Sequence, residues 1–208
     1  MINIKTFTDP KYDGNCYLLI NNDQAIVIDP AVSKQDLNLT KNIKIKAIFI
    51  THAHFDHFSA LDSYLNDDVI IYLHPQAYDK LDKPSKNLSF YCPPRVAVKV
   101  ANDHVRFVSD EDELALIGWK FKIMHTIGHT NCSLSIIIDD IIFTGDTLFK
   151  ESVGRTDLPT GSGKELGLSL KKLCSLTGNY TIYPGHGEPT TLEDERESNP
   201  YIKGENYV

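Results

Sequence analysis

Four strand-like runs in the chain lead into residues of types that can bind metals. This recurrence constrains the fold more than any other feature of the sequence. The run AIFIT (47–51) is followed by His52, His54, Asp56 and His57. The runs GWKFKIMHT (118–126), IIFT (141–144) and YTIYP (180–184) are followed by His129, Asp146 and His186. Short apolar runs bounded by polar residues predict buried strands, and the apolar–polar alternation of 118–126 predicts a half-buried strand. A sheet presents its loops at the strand ends. We therefore expect these seven side chains to share one site.

The remaining pattern predicts further strands alternating with helices. Additional strands are expected at CYLLI (16–20), AIVID (25–29), VIIYL (69–73) and SLSIII (133–138). Helices are expected in KQDLNL after a Ser33 cap, in FSALDSYL (58–65), in GKELGLSLKKLCSL (163–176), and after Thr190 or Thr191. The irregular segment 79–104 reads as a long excursion, placed over a substrate cleft. Strands followed by helices in both halves predict two sheets packed face to face with helices outside.

Composition narrows the class of partner. The net charge is -7, from 21 basic and 28 acidic residues, which argues against a nucleic-acid binder that neutralises phosphates. No apolar run approaches the ~18 residues that suggest a membrane span, and the first residues do not resemble a secretory signal. The four cysteines lie far apart, which is typical of reduced thiols in a cytoplasmic protein. We expect a cytoplasmic protein that binds neither nucleic acid nor a membrane, and the net charge leaves a small-molecule partner open.

The residues after Thr51 predict two neighbouring metal positions. An extended chain alternates its side chains, so His52, His54 and Asp56 would point one way and His57 the other. A loop that leaves a strand end can therefore supply two neighbouring positions, one with His52 and His54 and the other with Asp56 and His57. Zinc accepts imidazole and carboxylate ligands, and a catalytic site keeps a position for water. Four residues do not complete two such sites, so further ligands must come from the later strand ends.

The motifs THAHFDH, GHT, GDTLF and PGHGE, in this order, resemble those of the metallo-β-lactamase-fold hydrolases. The loop SVGRTDLPTGS (152–162) and the segment TTLEDERESNP resemble the glyoxalase II-like (hydroxyacylglutathione hydrolase) branch. The resemblance runs from about Asn15 to Pro200. It implies an α/β fold, a four-layer αβ/βα sandwich with two mixed β-sheets inside. Full-length members of that branch carry a further C-terminal helical domain that helps to hold glutathione. Because 22 residues follow His186 here, we expect a single domain over 1–208 without that separate helical domain.

The same resemblance assigns roles by position. One metal ion would be held by His52, His54 and His129, and the other by Asp56, His57 and His186. Asp146 would bridge the two ions, and Asp56 and Asp146 would also serve catalysis. Two divalent ions are implied, with zinc favoured and iron or manganese as alternatives. A hydroxide shared by the ions would attack the carbonyl of a thioester such as S-2-hydroxyacylglutathione. A thioester is favoured because a thiol, with a pKa near ~8.5, departs without a proton donor.

Three rival functions stay open on the sequence. A persulfide dioxygenase of the same fold uses one iron ion and resembles this chain in GDTL and GRTD. A lactonase is the second rival, and a metal-storage or scaffold protein is the third. Metal content separates the enzymes, because two ions per chain favour a hydrolase and one iron with oxygen uptake favours the dioxygenase.

Other polar residues carry smaller expectations. Asp29, before Pro30, is expected to accept backbone N–H bonds and support the metal loop. Arg155 either binds a substrate carboxylate or pairs with Asp157 and pins its own loop. His125 is expected to orient the site by hydrogen bonding, whereas the isolated His74 and His104 are expected to be structural.

The chain also departs from the family pattern beside His129. Ile127 stands where the family usually has proline, and Asn131 and Cys132 alter the residues that follow. Cys132 is the cysteine to test for reactivity. The aromatic residues Tyr12, Phe55, Tyr91 and Phe149 either line the cleft or fill the core, and we favour the core.

Overall fold

The computed structural model describes residues 2–65 and 68–204, which fall into two compact units. The first comprises residues up to Val108 together with Ala115–Trp119, and the second comprises Ser109–Leu114 and the residues from Lys120 onward. The predicted single domain over 1–208 includes residues 1, 66–67 and 205–208, which lie outside the described part.

The first unit is organised by a mixed six-stranded sheet in which the strands follow chain order. Its strands are β1 (Asn3–Thr8), β2 (Asn15–Asn21), β3 (Gln24–Ile28), β4 (Lys44–Phe49), β5 (Ile70–Leu73) and β6 (Val105–Phe107). The first three strands are antiparallel, and β3 to β6 run parallel. Ile28 pairs with Phe49, so β3 and β4 end side by side. The residues after both strands therefore meet at one sheet edge.

Short helical segments complete the first unit. They are the α-helix α1 (Pro75–Leu81) and the 3-10 turns Phe55–His57, Leu61–Tyr64, Ser89–Tyr91 and Asn102–His104. His74 caps α1, because its Nδ1 accepts a hydrogen bond from the Gln76 N–H at 3.1 Å. His104 Nδ1 lies 3.0 Å from the Val69 carbonyl oxygen. Both histidines therefore have the structural roles expected of them.

The second sheet is also mixed and six-stranded, and its residues belong mostly to the second unit. Its strands are β7 (Glu113–Leu116), β8 (Trp119–His125), β9 (Leu134–Ile138), β10 (Ile141–Gly145), β13 (Thr181–Pro184) and β14 (Thr190–Thr191), in the order β14-β13-β10-β9-β8-β7. A small hairpin pairs β11 (Leu148–Phe149) with β12 (Ser152–Val153). β10 and β13 are parallel, with Gly145 opposite Pro184, so the residues after them also share an edge.

Two helices of the second unit confirm the sequence predictions. Helix α2 (Gly163–Cys174) is capped by Ser162, whose hydroxyl accepts the Glu165 N–H, and it buries Leu166, Leu170 and Leu173 on one face. Helix α3 (Leu192–Ser198) is capped by Thr191 and ends before Asn199. Leucines at helical spacing bury one face of α2 in the core of this unit.

Two other helix predictions are wrong. The segment after Ser33 is a turn, because Asn38 has a left-handed φ of 49° that a right-handed helix does not allow, although the Ser33 hydroxyl accepts the Asp36 N–H as a helix cap would. Segment 58–65 contains a 3-10 turn at Leu61–Tyr64 instead of an α-helix. Three residues per turn place Leu61 and Tyr64 on one buried face, and the Tyr64 hydroxyl donates to the Val32 carbonyl at 2.6 Å.

The expected fold class is confirmed by the two mixed six-stranded sheets and few helices. Within residues 2–65 and 68–204, every helix falls short of the length and hydropathy that a membrane crossing requires.

Candidate metal centre

The first unit gathers the ligand-type side chains of the THAHFDH motif just beyond β4. His52 and His57 are fully buried and His54 is 6% exposed. The His52 ring centroid lies 4.8 Å from that of His54 and 4.1 Å from that of His57. The backbone is extended at His54 and then tightens into the 3-10 turn Phe55–His57. That change of conformation brings His57 back to His52, so three imidazoles form one buried cluster.

Asp29, at the end of β3, organises this cluster. Its Oδ1 accepts the Thr51 N–H at 2.7 Å, and its Oδ2 accepts the Thr51 hydroxyl at 2.6 Å. The same Oδ2 lies 2.9 Å from Nδ1 of His57. The carboxylate is 1% exposed, so these bonds form where water does not compete for them. The expected support of the metal loop by Asp29 is confirmed, and it extends to a proposed ligand, His57.

Thr51 passes the same constraint on to His52. The Thr51 hydroxyl donates its proton to Asp29, so its oxygen accepts a hydrogen bond from His52 Nδ1, 3.2 Å away. The proton of His52 is then on Nδ1, and Nε2 carries the lone pair. Sequence reasoning missed Thr51, although a hydroxyl directly between a strand and a His-rich motif is the available signal.

The second unit places His129, Asp146 and His186 together. Asp146 Oδ2 lies 3.5 Å from Nε2 of His129 and 3.7 Å from Nε2 of His186. Both separations exceed a normal hydrogen bond. Two ligand atoms that bind one tetrahedral ion at about 2.0–2.1 Å lie about 3.4 Å apart. One carboxylate oxygen therefore stands at ligand-to-ligand distance from two histidines, so Asp146 can bind an ion together with either of them.

The other ring nitrogen of His129 is also engaged. Nδ1 lies 2.8 Å from the Arg155 main-chain carbonyl, which can only accept, so the proton is on Nδ1. His52, His57 and His129 thus all bond to protein oxygen atoms through Nδ1. This pattern is typical of metal ligands, because it fixes the tautomer and directs Nε2 to the ion. In the first unit, His57 Nε2 lies 3.7 Å from Asp56 Oδ2. The imidazole and carboxylate donors therefore fit metal ions.

Arg155 itself pairs with Asp157. Its Nε and one terminal nitrogen each donate to a carboxylate oxygen at 2.7 Å. These bonds lower the Asp157 pKa to about 2 from 3.8. Because the pKa of Asp157 is lower in the folded protein, the stabilisation that the pair contributes is fully present above pH 3.8. It is lost as the pH falls through about 2. The pinning role is thus observed, and the substrate-binding role of Arg155 stays a prediction.

Two glycines allow close backbone approach at the candidate ligands. A Cβ on Gly154 would collide with the Asp146 carbonyl oxygen and lie 3.1 Å from His129 Cβ. A Cβ on Gly14 would lie 2.7 Å from the Asp56 carbonyl oxygen. The sequence motif GRTD contains Gly154, but its steric role becomes visible only in the structure.

The residues beside His129 have packing roles. Ile127 offers its carbonyl to the Ser169 hydroxyl at 2.6 Å, which ties the loop to α2. Cys132 is fully buried, and its sulfur lies 3.4 Å from the Thr130 hydroxyl. The His125 N–H donates to Asp110 Oδ1 at 2.7 Å, and an orienting role for the His125 ring stays a prediction.

The aromatic residues divide. Phe55 is 8% exposed and meets Tyr12 edge-on with ring centroids 4.8 Å apart, and Phe149 lies partly buried 6.3 Å from the His186 ring. Tyr91 is 78% exposed, so the prediction that it fills the core is wrong. It lies on a loop whose interior is filled by Asn87 and Ser89 instead.

Comparison with known proteins supports the family resemblance independently of the geometry of the site. The model of the metallo-beta-lactamase superfamily matches residues 9–186. "Probable metallo-hydrolase M6_Spy0554" of Streptococcus pyogenes serotype M6 is 33% identical over 197 residues, 90% of this chain and 85% of that protein. "Hydroxyacylglutathione hydrolase GloC" of Haemophilus influenzae is 29% identical over 226 residues, 97% of this chain and 98% of that protein.

Solved structures agree with the fold. BLEG-1 B3 metallo-beta-lactamase has a TM-score of 0.89 and 30% identity, with 97% of this chain and 100% of that chain covered. TTHA1623 in a di-iron-bound form has a TM-score of 0.81 and 31% identity, with 95% and 99% covered.

Proposed function

The chain belongs to the metallo-beta-lactamase superfamily, and from that premise we propose that it is a binuclear metallohydrolase of small acyl thioesters. Its broader description as a metal-dependent hydrolase with a His/Asp site rests on its relatives and on its donor residues. The single observation that carries the binuclear assignment is the Asp146 carboxylate oxygen, which stands at ligand spacing from both His129 and His186.

The proposed ligand sets follow the motif order of the superfamily. His52, His54 and His129 would hold one ion, Asp56, His57 and His186 would hold the other, and Asp146 would contribute to both. Support comes from within each unit: the imidazole cluster, the engaged Nδ1 atoms, and carboxylate oxygens 3.5–3.7 Å from Nε2 atoms. Imidazole and carboxylate suit zinc, iron and manganese alike. Zinc is our choice, and a relative in a di-iron-bound form makes iron the main alternative.

Two bound ions would supply a water of lowered pKa and an electrophile for the substrate carbonyl. The protein's own part is to hold geometry. Asp29 and Thr51 fix the rings of His57 and His52, and the Arg155 carbonyl fixes that of His129. Asp56, whose side chain is 20% exposed, would accept a hydrogen bond from a water at the site and orient it.

The leaving group favours a thioester. A thiol has a pKa of about 8.5, so it can depart as the thiolate without receiving a proton, whereas an amide nitrogen needs a general acid. The relative GloC bears the name hydroxyacylglutathione hydrolase, which supports an S-2-hydroxyacyl thioester as the first substrate to test.

A cytoplasmic location stays a prediction. All four cysteines are free thiols, and burial raises the pKa of Cys16 to about 12, so that thiol resists oxidation.

The test combines metal analysis with assays on purified protein. We expect two ions per chain and release of thiol from S-D-lactoylglutathione. Asp146→Asn should abolish hydrolysis, whereas Asp139→Asn, in the exposed β9–β10 turn, should retain it. One iron per chain with oxygen uptake on a persulfide would instead establish the dioxygenase, and lactone cleavage without thioesterase activity would establish the lactonase.

A further inference from the structure

The segment 83–99 of the first unit, here called the aromatic–basic loop, differs from the rest of this acidic chain. It carries Lys83, Lys86, Arg95 and Lys99 and contains no aspartate or glutamate, in a chain of net charge -7. Two large aromatic rings are exposed on it, Tyr91 at 78% and Phe90 at 46%. The Arg95 guanidinium lies over the Phe90 ring, 4.3 Å from the centroid. Asp79 and Asp82 line a cavity with Lys83 and Lys99 at the base of the loop, whereas the exposed rings lie beside Arg95. Exposed rings beside a cation are a surface suited to planar anions.

The aromatic–basic loop is held in shape by buried polar residues. Asn87 is fully buried, and its side-chain nitrogen donates to the carbonyls of Lys80 and Val96, at 3.2 and 3.0 Å. The Ser89 hydroxyl accepts the Val96 N–H at 2.9 Å and closes the base of the loop. The exposed rings therefore project from a preformed support, which lowers the entropy lost when they bind a ligand.

The same loop is joined to the proposed metal ligands within the first unit. The Phe55 N–H, between His54 and Asp56, donates to the Asn87 carbonyl at 3.0 Å. Tyr12 packs edge-on against Phe55, and the neighbouring Lys11 ammonium donates to the Pro93 carbonyl at 3.2 Å. The loop thus adjoins the turn that bears His54, Asp56 and His57, so a substrate held at those residues lies within reach of the loop.

We propose that the aromatic–basic loop binds the thiol half of the substrate, and that this half carries a phosphorylated nucleoside, as coenzyme A does. The inference rests on the proposed thioesterase function and names its substrate class. Tyr91 and Phe90 stack on the base, and Arg95, Lys86 and Lys83 pair with the phosphates. Glutathione offers carboxylates to the same cations but has no planar ring for the exposed aromatics, so the loop favours the nucleotide.

The experiment compares thioesters that share one acyl group. Lactoyl-coenzyme A, S-lactoylglutathione and lactoyl-N-acetylcysteamine present the same carbonyl, and the last lacks both nucleotide and charge. We expect kcat/KM for lactoyl-coenzyme A to exceed that for the N-acetylcysteamine ester about tenfold or more. The advantage should shrink as salt rises, because phosphate pairing is screened. Equal kcat/KM values for these two esters, or preference for the glutathione ester, would overturn the proposal.

Variants identify the surface. Tyr91→Ala and Arg95→Ala should each lower kcat/KM for lactoyl-coenzyme A about fivefold or more and leave the N-acetylcysteamine ester unchanged. Tyr91→Phe, which keeps the ring, should restore the wild-type value. Phe107→Ala is the matched control, an aromatic 54% exposed on β6. Equal losses in Phe107→Ala would contradict the assignment.

A binding measurement separates this proposal from the proposed function. Titration calorimetry with adenosine 3′,5′-bisphosphate should show binding that weakens in Tyr91→Ala and Arg95→Ala, whether or not any ester is hydrolysed. If no ester is cleaved but this binding is present, the thioesterase function fails and the nucleotide site stands. If the bisphosphate does not bind, the loop is not a nucleotide site. If Tyr91→Ala loses binding to phosphatidylserine vesicles and still binds the bisphosphate, the loop is a membrane-binding surface and not a nucleotide site.

Discussion

Asp29 binds no metal in the proposed assignment, yet it contacts the chain at three points around the candidate centre. Its carboxylate accepts the Thr51 N–H and hydroxyl and holds His57 Nδ1. Through Thr51 it also sets the tautomer of His52. One residue thus positions a ligand of each proposed ion, which makes it a positioning residue whose removal should be felt at both.

We predict that Asp29→Asn lowers metal affinity about 10–100-fold. The amide nitrogen would face either the Thr51 N–H or His57 Nδ1, where an acceptor is required. Chelator competition on the purified protein measures the affinity. Asp139→Asn is the matched control, because Asp139 is exposed and has a similar left-handed φ, 49° against 53° for Asp29. Unchanged affinity in Asp29→Asn would refute the positioning role.

We predict that Gly154→Ala destabilises the fold by about 1–3 kcal/mol and weakens metal binding, because the new methyl would displace the Asp146 carbonyl and press on His129. Thermal unfolding and metal content measure the two effects. Gly167→Ala, in α2 with open space around the added methyl, should stay within about 1 kcal/mol of wild type or be slightly more stable. Similar behaviour of the two variants would remove the steric argument.

Single residues divide by what a sequence can express. The sequence is enough to single out His52, His54, Asp56 and His57, because their residue types and spacing are typical of a metal site. It does not single out Gly154 and Thr51, since their roles depend on which backbone atoms the fold brings near them. The sequence predicts a buried Tyr91 because aromatic rings are usually buried, and no local pattern shows which residues lie at the tip of a loop.

Among the elements, helix α3 is joined to the small hairpin β11–β12 by a buried carboxylate. Glu195 is fully buried and accepts the Thr190 hydroxyl at 2.7 Å, the Glu151 N–H at 2.8 Å and the Asn199 amide at 2.7 Å. Asn199 in turn donates to the Ser152 carbonyl at 3.1 Å. These contacts tie the helix to the loop that leads into Gly154 and Arg155.

We predict that Glu195→Ala costs about 3 kcal/mol of unfolding free energy, because buried donors at Thr190, Glu151 and Asn199 would lose their acceptor. Denaturant titration measures it. Glu197→Ala, exposed on the same helix, should change stability by less than about 0.5 kcal/mol. Equal stability of the two variants would show that the network adds nothing.

The elements were predictable where periodicity was strong. Buried strands and the leucine face of α2 follow from alternation and helical spacing. The sequence predicts helices after Ser33 and around Leu61 because the helix propensity of these short segments allows one. The left-handed backbone at Asn38 ends the first segment, and the hydrogen bond from Tyr64 to the Val32 carbonyl holds the second, a tertiary contact that no local pattern marks.

For the whole molecule, the central claim is a binuclear centre bridged by Asp146. The order of the motifs predicts the family and the two sheets, because the proposed metal ligands lie at strand ends spread from His52 to His186. The thiol half of the substrate was not predictable in this way, since it depends on the surface that surrounds the site and not on a motif.

The most direct measurement is the metal-to-protein ratio of three proteins by mass spectrometry after dialysis. The account predicts two ions per chain in the wild type, about one in His186→Ala, and none or nearly none in Asp146→Ala. A wild-type ratio of one, or equal losses in the two variants, would contradict the bridged binuclear centre.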